Sequence, residues 1–243
     1  MKIKNIVNKV LDVIYPKNLT CVFCGDEIFD ENPYCTCKNC AKILPKITGK
    51  ICEKCGEPLE NMASFCENCK GGKHYYTKSR SVFVYQDYVS GGILNFKFHN
   101  GKYYSKPFAK YLADLYKEHK YNCDLIIPVP IHVTRLKERG YNQSELLAKD
   151  LGEIINLPVD SESLVKIKKT KNQAELDFKQ RHTNLEKAFK VTNKKQIKDK
   201  NILLIDDVYT TGSTIDECTK ELTKAGAKSV YALTVAHAVT KLS

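Results

Sequence analysis

The sequence predicts an α/β protein, a parallel sheet flanked by helices and preceded by a small cysteine-rich metal module. Three observations predict it. From residue 78 onward, short apolar runs alternate with segments of helical periodicity, the order that builds βαβ crossovers and puts ligands at the carboxyl ends of the strands. Nine of the eleven cysteines lie between Cys21 and Cys69, and eight of those form four C-x-x-C pairs. An apolar run at 202–205 then delivers two adjacent carboxylates, Asp206 and Asp207, into a hydroxyl-rich turn that opens a helix.

At 243 residues the chain is long enough for a full core and a second, smaller unit. The net charge of +11 favours polyanionic partners, nucleic acid or phosphorylated ligands, although charge of this size also serves solubility. The lysines at 166–171 and 194–200 read first as solvated loops. Ile3, Ile6, Val7, Val10, Leu11 and Ile14 recur at helical spacing, but Lys, Asn and Asp interrupt them. Residues 1–19 are therefore expected to form an amphipathic helix docked on protein, not a signal peptide, and no stretch is apolar enough for a transmembrane segment. The expected location is the cytoplasm, with any membrane association made through partners.

Residues 20–77 hold the metal module. Each C-x-x-C pair aims two thiolates from one tight turn, and Gly25 and Gly56, directly after two of the pairs, permit the sharp bend. Two pairs complete a tetrahedral sulfur shell, the closed form of a structural zinc site, and cytosolic thiols stay reduced. Sequential ribbons, Cys21/Cys24/Cys37/Cys40 and Cys52/Cys55/Cys66/Cys69, need shorter closures than a cross-brace, so two structural Zn²⁺ ions are expected. Cys35 competes with Cys37 through a C-x-C spacing, but the C-x-x-C geometry favours Cys37. Cys123 and Cys218 lie in apolar segments and read as core fillers.

Gly71, Gly72, Lys73 and His74 read as a hinge into the second domain, residues 78–243. There, 81–85 is β-rich, 88–98 and 106–117 are helical, and 124–130 is a buried strand ending in Pro128-Val129-Pro130. A helix at 142–155, a strand at 164–167, a basic loop with a helix reaching Phe189, a strand at 202–205, a helix at 213–226 and a strand at 229–234 follow.

The turn Tyr209-Thr210-Thr211-Gly212-Ser213-Thr214 has the make-up of a phosphate cradle. A helix start offers unpaired N–H groups and a positive dipole end, and Gly and hydroxyl residues can close around an anion. Asp206 and Asp207 can accept from two vicinal ribose hydroxyls. Thr214 and Glu217 are also spaced as a capping box, but a cap needs one hydroxyl and this turn holds four. Neither G-x-x-x-x-G-K-[ST] nor G-x-G-x-x-G occurs. The segment from Pro128 to Ser144 leaves a second strand toward the same crevice, and its Arg135, Lys137 and Arg139 supply cations for a diphosphate, unless it is a basic surface turn. Residues 168–189 are either a lid or a solvated loop, and Tyr75, Tyr76, Tyr103 and Tyr104 either stack on bases or pack.

Two acids followed by a Thr-Gly-rich loop resemble the phosphoribosyl diphosphate (PRPP) signature of type I phosphoribosyltransferases. Nearly the whole chain resembles the ComF family of competence-associated proteins. The likeness rests on the four C-x-x-C pairs, the Pro-Val-Pro strand end running into Arg135-Leu136-Lys137-Glu138-Arg139-Gly140-Tyr141-Asn142-Gln143, the spacing Thr170, Gln173, Leu176, Arg181, Asn184, Phe189, and the Asp206-Asp207 loop. The resemblance implies a type I phosphoribosyltransferase-like sheet behind a double zinc ribbon, and PRPP held with Mg²⁺. It implies Asp206 and Asp207 on the ribose as the catalytic pair, residues 209–214 on the 5-phosphate, and Arg135 and Arg139 on the diphosphate. It also implies a cytoplasmic role in handling single-stranded DNA during uptake for natural transformation. The implied partners are PRPP or ribose 5-phosphate, single-stranded DNA, and a DNA-uptake helicase or other competence proteins. Two classes stay open: a phosphoribosyltransferase, and a catalytically inactive phosphate- and nucleic-acid-binding adaptor. No nucleobase pocket is recognisable, so the acceptor stays open as well.

Overall fold

The computed structural model describes residues 20–29, 32–72, 74–98, 101–170 and 185–239. The helix expected over 1–19 and most of the candidate lid, 171–184, lie outside them. In chain order the elements are α1 (Lys38–Ile43), β1 (Lys78–Val84), α2 (Asp87–Phe98), α3 (Ser105–Glu118), β2 (Leu125–Pro128), α4 (Val133–Arg139) and α5 (Gln143–Ile155). Then come β3 (Leu164–Lys166), β4 (Phe189–Val191), α6 (Lys194–Ile197), β5 (Asn201–Tyr209), α7 (Ser213–Lys224) and β6 (Ser229–His237).

Strands β1, β6, β5 and β2 form one sheet in that order, every pair parallel. The interior strands are apolar on both faces, as a doubly covered parallel sheet requires. On one face Leu203, Ile205, Leu233 and Val235 join Ile93, Phe96, Phe108, Leu112, Leu147 and Leu151 of α2, α3 and α5. On the other, Ile202, Leu204, Val230 and Ala232 join Ile215, Cys218 and Leu222 of α7. Cys123 and Cys218 are both buried, as core fillers should be.

Three local expectations are corrected. β3 does not enter the main sheet: it pairs antiparallel with β4, Leu164 opposite Val191 and Lys166 opposite Phe189. No helix reaches Phe189, because Phe189 and Val191 are buried around an exposed Lys190, which is the period of a strand. Residues 133–139, for which no element was expected and a basic surface turn was the alternative to a diphosphate site, form a short helix whose N-cap is His132, with Nδ1 accepting from the Thr134 N–H.

Strand β5 runs beyond the expected 202–205. β2 stops at Pro128, opposite Ile205, whereas β6 continues beside β5 through Thr234, Ala236 and His237. Asp206 and Asp207 therefore lie just past the end of β2, where β5 keeps only β6 as a neighbour. Among the described residues, no helix is long and apolar enough to cross a membrane.

Candidate functional site

The thiols gather as sequential ribbons. Cys21, Cys24, Cys37 and Cys40 place their sulfurs within 4.8 Å of one another, and so do Cys52, Cys55, Cys66 and Cys69. Cys24 and Cys37 Sγ are 3.6 Å apart, as are Cys55 and Cys66 Sγ. A tetrahedral zinc with bonds of about 2.3 Å sets its sulfurs roughly 3.8 Å apart, so both quartets fit the metal with no open coordination position. Gly25 and Gly56 take φ of +83° and +80°, the bends that the spacing called for. Cys35 is buried but stands outside the first quartet.

Asp206 and Asp207 meet partners from α2 and α5. Asp207 is buried; its Oδ1 lies 3.0 Å from Lys97 Nζ, and its Oδ2 accepts from Gln143 Nε2 at 2.8 Å. Asp206 is half-buried, and its Oδ1 accepts from Ser144 Oγ and from the Asp207 N–H, both at 2.9 Å. Its Oδ2 has no protein hydrogen bond among the described residues. Burial, reinforced by the adjacent Asp207 charge, pushes the Asp206 carboxyl up to about 7.

The Arg-Gly-Tyr-Asn-Gln segment is the scaffold of this pair. Asn142 caps α5, donating from Nδ2 to the Val129 carbonyl and accepting the Ser144 N–H, and so ties the helix start to the end of β2. Tyr141 donates its hydroxyl to the Phe96 carbonyl. Arg139 donates to Gln143 Oε1 and lies 5.0 Å from the Phe98 ring centroid, half-buried. Arg135 is half-buried on α4; burial, then its charge, hold Lys166 of β3 below the ordinary lysine value. Arg139 thus lies within the field of Asp207 and Lys166 within that of Asp206, and Arg135 stands close to both of these cations.

In the loop, Gly212 adopts φ +77° as the N-cap of α7, and Thr211 Oγ1 sits 2.8 Å from Ser213 Oγ. Thr214 is therefore inside the first turn and Glu217 pairs with Lys220, so the capping-box alternative does not form. Thr210, Thr211 and Thr214 are half-buried and Ser213 is buried. Tyr209 turns the other way: its ring is buried beneath the loop and its hydroxyl lies 2.7 Å from that of Tyr76. Of the four candidate stacking tyrosines, Tyr76 and Tyr104 are buried and Tyr75 and Tyr103 exposed.

Lys97, Lys166, Gln143 and Ser144 were not singled out as site residues by sequence. For Gln143 and Ser144 a signal exists, since they follow the cap residue Asn142 at the mouth of the second strand. For Lys97 and Lys166 none does, because each is one lysine among many and only the tertiary fold brings it to the acids.

The double zinc ribbon domain family matches residues 10–70, and the phosphoribosyl transferase domain family matches residues 109–242. Competence protein F of Haemophilus influenzae is 32% identical over 229 residues, covering 91% of this chain and 98% of that protein. Competence protein ComFC of Bacillus subtilis is 29% identical over 210 residues, 81% of this chain and 82% of the relative. DNA utilization protein YhgH of Salmonella typhimurium is 27% identical over 199 residues, 80% of this chain and 86% of the relative. With two sulfur quartets joined to a parallel sheet that carries an acid pair above a Thr-Gly loop, and relatives alike over nearly the full length, the chain belongs to the competence protein F/ComFC family, whose members unite a double zinc ribbon with a phosphoribosyltransferase domain.

Proposed function

We propose that the chain binds a 5-phosphorylated ribose, PRPP or ribose 5-phosphate, and uses that site in the uptake or use of single-stranded DNA. The observation that carries the reading is the half-buried Asp206 carboxylate, with one oxygen held by Ser144 and the Asp207 N–H, on β5 just past the end of β2 and ahead of the loop that opens α7. The 5-phosphate sits on the N–H groups and hydroxyls of residues 210–214, where a helix start favours an anion. The ribose hydroxyls donate to Asp206 and Asp207. A diphosphate lies toward Arg139, Arg135 and Lys166. The competence and DNA-utilization names of the relatives support the cellular context.

The site also suits Mg²⁺, which binds through one or two carboxylates plus substrate phosphates and keeps several waters. Asp206 Oδ2 is the oxygen left for it, directly or through water. When bound with PRPP, the ion neutralises the departing diphosphate. Asp207 holds Asp206 and the α5 start in register through Gln143, and Lys97 balances its charge.

Titration calorimetry with ribose 5-phosphate and with PRPP plus Mg²⁺ tests the reading. Changing Asp206 and Asp207 together to Ala removes acceptors for two hydroxyls, each bond to a charged group being worth about 1.5–3 kcal/mol, so affinity should fall at least tenfold. Equal affinity of the two proteins would show that the acids only end a strand. Diphosphate release from PRPP with bases or DNA as acceptor separates an enzyme from the non-catalytic adaptor, which would use the same pocket without turnover.

A further inference from the structure

The second zinc ribbon and the proposed phosphate loop are joined by an unbroken set of buried side chains. His237, at the end of β6, shares a 4.8 Å cluster with Cys55 and Glu57. Its ring stacks on Tyr209 with centroids 4.5 Å apart and planes 27° apart. Tyr209 in turn lies directly under the loop. A methyl group at Gly212 would come within 2.4 Å of Tyr209 Oη and 3.1 Å of His74 Cε1, so these two rings touch the loop backbone from below.

The linker that leaves Cys69 closes the set from the other side. Tyr76 is fully buried; its hydroxyl meets that of Tyr209 at 2.7 Å and its ring stacks on His74. His74 Nδ1 lies 2.6 Å from Asp216 Oδ2, and the Tyr75 N–H donates to Asp216 Oδ1 at 2.8 Å. Asp216 stands in the first turn of α7 and donates its own N–H to the Gly212 carbonyl. His74, the last residue of the segment that read as a hinge, is thus part of a fixed strut.

The ribbon itself is anchored. The Ser79 N–H donates to the Lys54 carbonyl at 2.8 Å, and Arg80 donates to the Glu53 carbonyl at 3.1 Å. A Cβ at Gly56 would lie 2.9 Å from the Ser79 carbonyl, so the zinc knuckle rests on β1 backbone to backbone. The first ribbon is anchored as closely, but on the opposite face of the sheet: Phe23 packs on Phe83, Phe108 and Tyr111, and a Cβ at Gly92 of α2 would lie 2.7 Å from the Val22 carbonyl, away from α7 and the loop that precedes it.

We propose that the second zinc site positions the phosphate loop through His237 and Tyr209, with Tyr76, His74 and Asp216 completing the support, while the first zinc site does not. Zinc in the second quartet fixes Cys55 and the ribbon backbone; these hold His237 and the linker; the two rings beneath Gly212 keep the loop in the conformation that presents its N–H groups. The residues act through the loop and are positioning residues. The inference uses the phosphate reading only for its binding test, because the shape of the loop can be followed without ligand.

Hydrogen exchange of the zinc-loaded full chain reads the loop directly. Cys66→Ser, which opens the second quartet, should speed exchange at residues 210–214 at least tenfold, whereas Cys24→Ser, which opens the first, should leave them near wild type. Equal effects of the two, or none, would overturn the proposal. Cys66→Ser can unfold its own module, so Tyr76→Phe, which deletes one hydroxyl and keeps all eight ligands, is the second reading and should speed the same amides.

Linkage supplies the reciprocal test. If ribose 5-phosphate prefers the supported loop, it must slow loss of one of the two zinc ions to a chelator, several-fold in wild type and not in Tyr76→Phe. Ribose 5-phosphate that binds without changing zinc release would overturn the strut and spare the phosphate reading. Absence of binding, with the exchange pattern intact, would overturn the phosphate reading and support the strut.

Discussion

Asp206 is the residue at which chemistry and stability pull apart. Burial beside Asp207 raises its carboxyl to about 7, so between the ordinary carboxylate value and about 7 the folded chain holds a proton that the unfolded chain has released. That contribution to stability is complete below the unfolded value and is lost as pH rises through about 7. Asp206→Asn should therefore melt higher than wild type at pH 8, by roughly 2–4 °C for each kcal/mol recovered, and the gap should close toward pH 5. Ligand binding has the opposite sign, since ribose hydroxyls and Mg²⁺ want the ionised acid. Affinity for ribose 5-phosphate with Mg²⁺ should rise from pH 6 to pH 8 in wild type, and the rise should shrink in Asp206→Asn to the part that belongs to the phosphate's own titration. Parallel calorimetric profiles of the two proteins would remove Asp206 from the site. The acids are legible in sequence because an apolar run points straight at them. Lys97 is not, since its 3.0 Å pairing with Asp207 depends on how α2 crosses the sheet.

At the scale of elements, β5 carries the argument. Its first residues were legible from four consecutive apolar positions, whereas its continuation to Tyr209 was not, because acids and a tyrosine break the pattern and only the longer partner β6 keeps the strand paired. The hairpin of β3 and β4 was misread for a related reason: three-residue strands are too short to show a period, and antiparallel pairing is invisible without the partner. The loop after β5 was legible in composition but not in direction, so Tyr209 read as part of the cradle although its ring supports the turn from beneath. Gly212 shows how tight that turn is. With φ at +77° and Tyr209 Oη 2.4 Å from where a Cβ would stand, Gly212→Ala combines a left-handed backbone penalty with a clash. Such strained positions cost on the order of 1–3 kcal/mol, so the variant should lose several degrees of melting temperature and most of its ribose 5-phosphate affinity. Wild-type affinity in calorimetry would mean that the phosphate sits elsewhere.

The whole molecule joins two structural metals to a basic α/β domain, and both features make countable predictions. Protein purified without chelator should contain two zinc ions per chain by elemental analysis; fewer than one would exclude the double ribbon, and Cys55→Ser should unfold the second module because metal binding supplies its folding free energy. The net charge of +11 bears on the proposed contact with single-stranded DNA. Single-stranded DNA that binds through lysine and arginine releases counterions, so log affinity should fall with log salt at a slope of roughly −0.7 for each phosphate neutralised. Tyr103 is exposed between Lys102 and Lys106, also exposed, on the helical entry to α3, and offers a ring to a base with cations on either side. The two contributions separate by substitution. Replacing Lys102 and Lys106 by Ala should flatten the salt slope, whereas Tyr103→Ala should leave the slope and weaken binding at every salt concentration, stacking being worth about 1–3 kcal/mol per base. If the tyrosine variant binds like wild type while the lysine variant flattens, contact is electrostatic alone. If neither changes while wild type binds, the contact lies on another face; and if wild type shows no salt-dependent binding, single-stranded DNA is removed from the direct partners.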